Sequence, residues 1–227
     1  MAAPGGRSNR VGGSAIQGRG LGRSAGRVVI RVVRAGACIA LAIVLVLLTS
    51  AVPTAHAADG DVLVVGDSLA VGTQPYLGPM LGAVNLISDV RNGITTPQGM
   101  RLLRISLKTV VPRTVVMSLG TNDGGDPRRF ASRLRRTLAL LPFDTCVVWA
   151  TIIRPRRKGP YRPLNRVLHK LKKRDPRLVV VDWEHAVTGG EVFLPDGLHA
   201  DSAGYRYRSA MIADAVNAGC PARLGTA

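Results

Sequence analysis

The chain has 227 residues, 46% of them hydrophobic, and carries 31 lysines and arginines against 14 acids, a formal charge of +17. That length and apolar content exclude a wholly disordered chain and leave room for one good-sized domain plus a targeting segment. The charge points to an anionic partner, but aromatic residues make up only 4%. That is too few for the stacking platforms on which single strands bind, so no nucleic acid partner is expected.

Residues 1–34 are rich in Gly, Ser and Arg, show no apolar period, and read as a disordered basic leader. Seven arginines and no acid fall within residues 1–57, which leaves 24 basic against 14 acidic residues in the rest of the chain. From 35 to 52 the chain is uncharged, and the segment Ala55-His56-Ala57 has the small-x-small form of a cleavage site. Basic start, apolar middle and small-residue site together read as a secretory signal over 35–57, cleaved before Ala58. An uncleaved membrane anchor over 35–52 is the other reading. Either way a domain over 59–220, with a tail at 221–227, is expected outside the cytoplasm.

The domain alternates short apolar runs with helical patterns. Residues 61–65 (DVLVV) read as a buried strand. Residues 69–81 read as a helix weakened by Gly72 and Pro75. Residues 83–90 are a second strand, and 97–110 a helix opened by Pro97. Residues 114–119 are a third strand, followed by a helix over 127–141 with Phe130, Leu134, Leu138 and Leu141 on one face. Residues 146–153 are a fourth strand. The helix over 163–175 turns Leu164, Val167, Leu168 and Leu171 inward. Residues 177–183 are a fifth strand, and 201–219 a closing helix. Loops are short except around 184–198. Five strands alternating with helices predict an α/β fold, a three-layer α/β/α sandwich around a five-stranded parallel sheet.

In that topology Cys146 starts the fourth strand and Cys220 follows the last helix, so both lie at the same sheet edge. A Cys146–Cys220 disulfide is expected. It would close a loop of about 75 residues, worth roughly 4 kcal/mol in the loop-entropy account. Two free thiols are the alternative.

Ligands of open parallel sheets bind beyond the carboxyl ends of the strands. At those ends stand Gly66-Asp67-Ser68, Arg91-Asn92-Gly93 and Gly120-Thr121-Asn122-Asp123, and the last long loop ends in Asp196-Gly197-Leu198-His199. Singly, Ser68 reads as a helix cap, Asn122 and Asp123 as a turn, and His199 as a packing residue. Jointly they supply a reaction. A serine hydroxyl needs a base, which His199 provides, and Asp196 three residues earlier can orient the ring. The Ser68 and Gly93 amides and the Asn122 side-chain amide are candidate oxyanion donors. His185 is a reserve base, and His169 reads as solvated. No His, Cys and carboxylate cluster has metal-ligand spacing, so neither metal nor cofactor is expected.

The segments VVGDSLAVG, LGTND and DGLHADSAGY resemble three blocks of the SGNH hydrolases, the GDSL-type esterases. The resemblance covers nearly all of 61–216. It implies a flavodoxin-like SGNH hydrolase fold, a catalytic triad of Ser68, Asp196 and His199, and an oxyanion hole of Ser68, Gly93 and Asn122. The second block, RNGITTPQG, leaves Gly93 and Thr96 as alternatives for one donor. The implied activity is ester hydrolysis through an acyl-Ser68 intermediate in an exported, monomeric enzyme, with acetylated cell-wall or other carbohydrate as substrate. A lipase or lysophospholipase and a wall O-acyltransferase are the neighbouring readings. A non-catalytic glycan-binding module is the reading from another class. Residues 154–177 hold eleven Lys or Arg and one acid, Asp175. This run reads either as a solvated helix face or as a contact for an anionic wall polymer or acidic lipid.

Overall fold

The computed structural model describes residues 61–219, within the compact unit Thr54–Ala227. The leader, the apolar segment over 35–57, Cys220 and the tail lie outside the described residues. Among the described residues no helix is long and apolar enough to cross a membrane.

Five strands form one parallel sheet: β1 Val62–Gly66, β2 Leu86–Val90, β3 Thr114–Ser118, β4 Cys146–Ala150 and β5 Leu178–Val181. Their order is β2-β1-β3-β4-β5, with Gly66 in register with both Val90 and Ser118. β1 is VLVVG, five residues buried throughout. The side-chain period of two sends Val62 and Val64 to one core cluster and Leu63 and Val65 to the other. A strand buried on both faces has no use for polar alternation, which is why β1, β3 and β4 read as continuous apolar runs.

One face is covered by α1 Ser68–Leu81, the short α5 Trp183–Thr188 and α6 Ser202–Ala218, and the other by α2 Thr96–Ser106, α3 Pro127–Leu138 and α4 Arg162–Lys172. The inward positions expected of α3 and α4 are packed in the second cluster. α1 runs unbroken past Gly72, Pro75 and Pro79. Both prolines are exposed, so the missing N–H donors fall on the solvent side. Gly72 is a packing requirement rather than a weakness, because a Cβ there would fall on the Tyr205 ring of α6. The expected long loop over 184–198 is partly replaced by α5, capped by Asp182, whose side chain accepts from the His185 amide. Six residues are too few for a helical period to emerge from sequence.

Cys146 is buried at the start of β4 and is disulfide-bonded. The expected partner, Cys220, lies outside the described residues.

Candidate active site

Register puts the carboxyl ends of all five strands on one edge, and chain order reverses between β1 and its neighbours β2 and β3. Ligand crevices of open sheets open at such a reversal. Ser68 follows β1 and opens α1, where Asp67 is the cap: its Oδ1 accepts from the Leu69 amide at 3.0 Å. The cap frees Ser68 for other work and fixes the turn that presents its hydroxyl.

His199 reaches Ser68 across 131 residues, with Nε2 3.0 Å from the Ser68 Oγ. On its other side Nδ1 lies 2.8 Å from Asp196 Oδ2. Asp196 Oδ1 accepts from the amides of His199 at 2.7 Å and Leu198 at 2.9 Å. These bonds lock the acid loop onto the ring it orients. They hold the Asp196 carboxyl well below the usual carboxylate range, the His199 amide first and its ring second. A carboxylate so held stays ionised, which keeps the hydrogen on Nδ1 and leaves Nε2 to accept from the Ser68 hydroxyl.

The Ser68 amide sits at the first position of α1, one of the orphan donors of a helix start. Gly93 lies in the loop after β2 at φ +72°, a conformation open to glycine at little cost. Ser68, Gly93, Asn122, His199 and Tyr205 line one cavity of about 480 Å³. No hydrogen bond among the described residues takes the Ser68 or Gly93 amide. The alternative donor, Thr96, has its amide engaged elsewhere. It is buried, and its amide donates to Asp123 Oδ1 at 2.8 Å. Asn122 Nδ2 donates to the Ile94 carbonyl at 3.1 Å and, more weakly, to Asp67 Oδ2 at 3.4 Å.

Asp123 works differently from its neighbour. Buried and paired with Arg133 at 2.8 Å, it ties the start of α2 to α3. The reserve base His185 is exposed on α5 and does not line the Ser68 cavity. Among the described residues no group of three His, Cys, Asp or Glu could hold a metal ion.

Three residues behind the site escaped the sequence reading in their roles. Asp67 is fully buried, and burial pushes its carboxyl up to about 6, against the Leu69 amide and the Arg208 guanidinium. Arg208, on α6, is also buried, and burial brings it down to about 10 while Asp67 opposes the fall. Its Nη2 donates to Ser118 Oγ at 3.0 Å, and its guanidinium lies 4.8 Å over the Trp183 ring. Arg154 heads the basic run yet is buried. Its Nη1 donates to the carbonyls of Gly120, Thr121 and Asp123, its Nε to Gly159 O and its Nη2 to Pro160 O. It clamps the loop that carries Asn122. The sequence reading offered Ser68 as the cap, whereas an Asp just before the helix start was the signal that could have marked Asp67; nothing in sequence distinguishes Arg208 or Arg154 from a surface arginine.

No family model and no curated protein sequence matches the chain. Solved structures do. The C-terminal catalytic domain of Streptococcus pneumoniae peptidoglycan O-acetyltransferase A, solved with a methylsulfonyl adduct, aligns at 22% identity and TM-score 0.55, over 69% of this chain and 89% of that one. A G-D-S-L family lipolytic protein from Veillonella parvula aligns at 18% identity and TM-score 0.58, over 67% and 95%. An acetyl xylan esterase aligns at 15% and TM-score 0.57, over 66% and 96%. With its sheet order, helix placement and these neighbours, the chain has the fold of the SGNH, or GDSL-type, hydrolases.

Proposed function

We propose that the chain is a serine esterase that forms an acyl enzyme on Ser68. The observation that carries this is the contact between His199 Nε2 and Ser68 Oγ at 3.0 Å, with Asp196 2.8 Å behind the ring. In the first step Ser68 Oγ attacks the ester carbonyl carbon and its proton passes to His199 Nε2. The carbonyl oxygen becomes an oxyanion, met by the Ser68 and Gly93 amides and the Asn122 amide. The long contact to Asp67 at 3.4 Å is the one that Asn122 exchanges for the oxyanion. The C–O bond then breaks, the imidazolium gives its proton to the departing alkoxide, and the acyl group stays on Ser68. Water, activated by the same imidazole, returns the enzyme to its starting state. A sugar hydroxyl in place of water would give acyl transfer, a variant favoured by the likeness to an O-acetyltransferase domain.

Export through the leader and an acetylated glycan as substrate are part of this proposal. The basic start and apolar middle of the leader support the first. The acetyl xylan esterase and the peptidoglycan acetyltransferase among the structural neighbours support the second.

The test is p-nitrophenyl acetate turnover together with labelling by a fluorophosphonate. Ser68→Ala is expected to abolish both the turnover and the mass increase on the peptide holding residue 68. His199→Ala is expected to lower turnover by about 10³-fold or more. Turnover unchanged in Ser68→Ala overturns the proposal.

A further inference from the structure

Beside the Ser68 cavity lies a larger one of about 740 Å³. The two share walls. The 3-10 turn Arg156–Lys158 presents Lys158 to the Ser68 cavity and Arg156 to the neighbour. On the acid loop, Gly197 faces the neighbour while Leu198 and His199 face Ser68. Gly197 is packed on Pro155, so that a Cβ there would stand 3.3 Å from the proline Cγ. The two grooves therefore meet at Gly197, next to Asp196 and two residues before His199.

The groove has two chemical characters. Its wall from the chain after α5 is apolar, with Val192 and Leu194 buried and Phe193 exposed by 75%. Its opposite wall is cationic, and no acid is among its lining residues. Of its three arginines, Arg154 is consumed by carbonyls and Arg162 pairs with Glu184 at 3.1 Å. Arg156 is exposed and makes no ion pair among the described residues.

An exposed aromatic ring and an unpaired, exposed guanidinium lining one groove suit a ring with an apolar C–H face and a carboxylate on its edge, as in an acidic sugar. A fatty acyl chain suits it less. Its gain comes from enclosure, and here it would lie along an exposed phenyl ring and strip water from arginines that it cannot pair. We propose that this groove is a subsite for an acidic sugar adjoining the acylated unit of a glycan substrate, with Phe193 stacking on the ring and Arg156 binding its carboxylate. This rests on the esterase reading for the chemistry at Ser68, but not for the binding itself. It also narrows the basic run of 154–177 to Arg156 and Lys158, the exposed cations of the run that line the two cavities without an ion pair among the described residues.

Binding and turnover separate the two ideas. In calorimetry on the full-length chain, trigalacturonate is expected to bind more tightly than neutral cellotriose and to lose affinity as sodium chloride rises. Arg156→Gln is expected to weaken trigalacturonate about tenfold and leave cellotriose unchanged. Phe193→Ala is expected to weaken both. These readings need no turnover, so they stand even if Ser68→Ala shows the esterase reading to be wrong. In kinetics, both variants should raise KM for O-acetylated oligogalacturonate while p-nitrophenyl acetate is turned over as before. Equal binding of trigalacturonate by the parent chain and both variants, or no binding at all, overturns the subsite. Loss of p-nitrophenyl octanoate turnover in Phe193→Ala with the glycan unaffected also overturns it, and assigns the groove to an acyl chain.

Discussion

Asp67 stands immediately before Ser68 as a buried acid, and burial pushes its carboxyl up to about 6. With the folded carboxyl at about 6 against an ordinary 3.8, the folded state holds more protons than the unfolded one between those values. The contribution to stability is therefore full below about pH 4 and is lost as pH rises through 6, at most about 3 kcal/mol for two units. Asp196 has the opposite sign: its carboxyl is held low, so its share is present above the ordinary value and lost on acidification. Thermal unfolding from pH 4 to 7 should thus show a decline that Asp67→Asn flattens; an unchanged slope in that variant would show that another group carries it. Arg208 is the countercharge to Asp67. Arg208→Met should cost about 3–5 kcal/mol at pH 8, where ionised Asp67 keeps the Leu69 and Asn122 donors but loses its countercharge. The cost should be smaller at pH 5, where Asp67 takes up a proton. Denaturant unfolding at the two pH values reads the difference directly.

Among the elements, the turn after β3 depends most on others. Asn122 is held by a loop whose carbonyls converge on Arg154, a residue supplied by the turn after β4. Arg154→Met keeps the length of the stem and removes those bonds. It is expected to lower kcat for p-nitrophenyl acetate about tenfold or more with little change in KM, because a loosened donor is missed chiefly in the transition state. Equal changes in both constants would point to a general loss of fold instead. The same contrast explains what sequence could disclose. Buried strands are continuous apolar runs, so β1 and β3 were readable to within a residue, while β4 stops three residues before its apolar run does. Topology brings Ser68 and Asn122 together at one sheet edge, where the loop after α5 places Asp196 and His199. Arg154, by contrast, sits among eleven basic residues, and burial is a property of the fold rather than of the run. Sequence offers Gly93 and Thr96 alike as donors, because the Asp123 carboxylate that takes the Thr96 amide lies 27 residues away.

For the molecule as a whole, the sheet divides the interior into two clusters that meet only through backbone. Leu134 on α3 belongs to one and Ile212 on α6 to the other, and both are almost fully buried. Replacing either with Ala should cost about 2–4 kcal/mol through lost burial and the cavity left behind. Because the two sites share no neighbours, the double variant should cost the sum to within about 0.5 kcal/mol in urea unfolding. A markedly smaller sum would mean that one face already unravels without the other. Helix ends were harder to foresee than the two-sided core, since α2, α3 and α4 stop earlier than their apolar periods do. Their last turns are set by the short connections that return the chain to the sheet.

The bond between His199 and Ser68 spans 131 positions, and this fixes when in the life of the chain the proposed chemistry can begin. The nucleophile stands on the turn after β1, the first strand of the chain, while its base comes after every strand has been laid down. A chain still being made, or one threading unfolded through a pore, holds a serine with no partner and is inert toward esters. Reactivity arrives in one step, late, and only in a molecule that has finished folding.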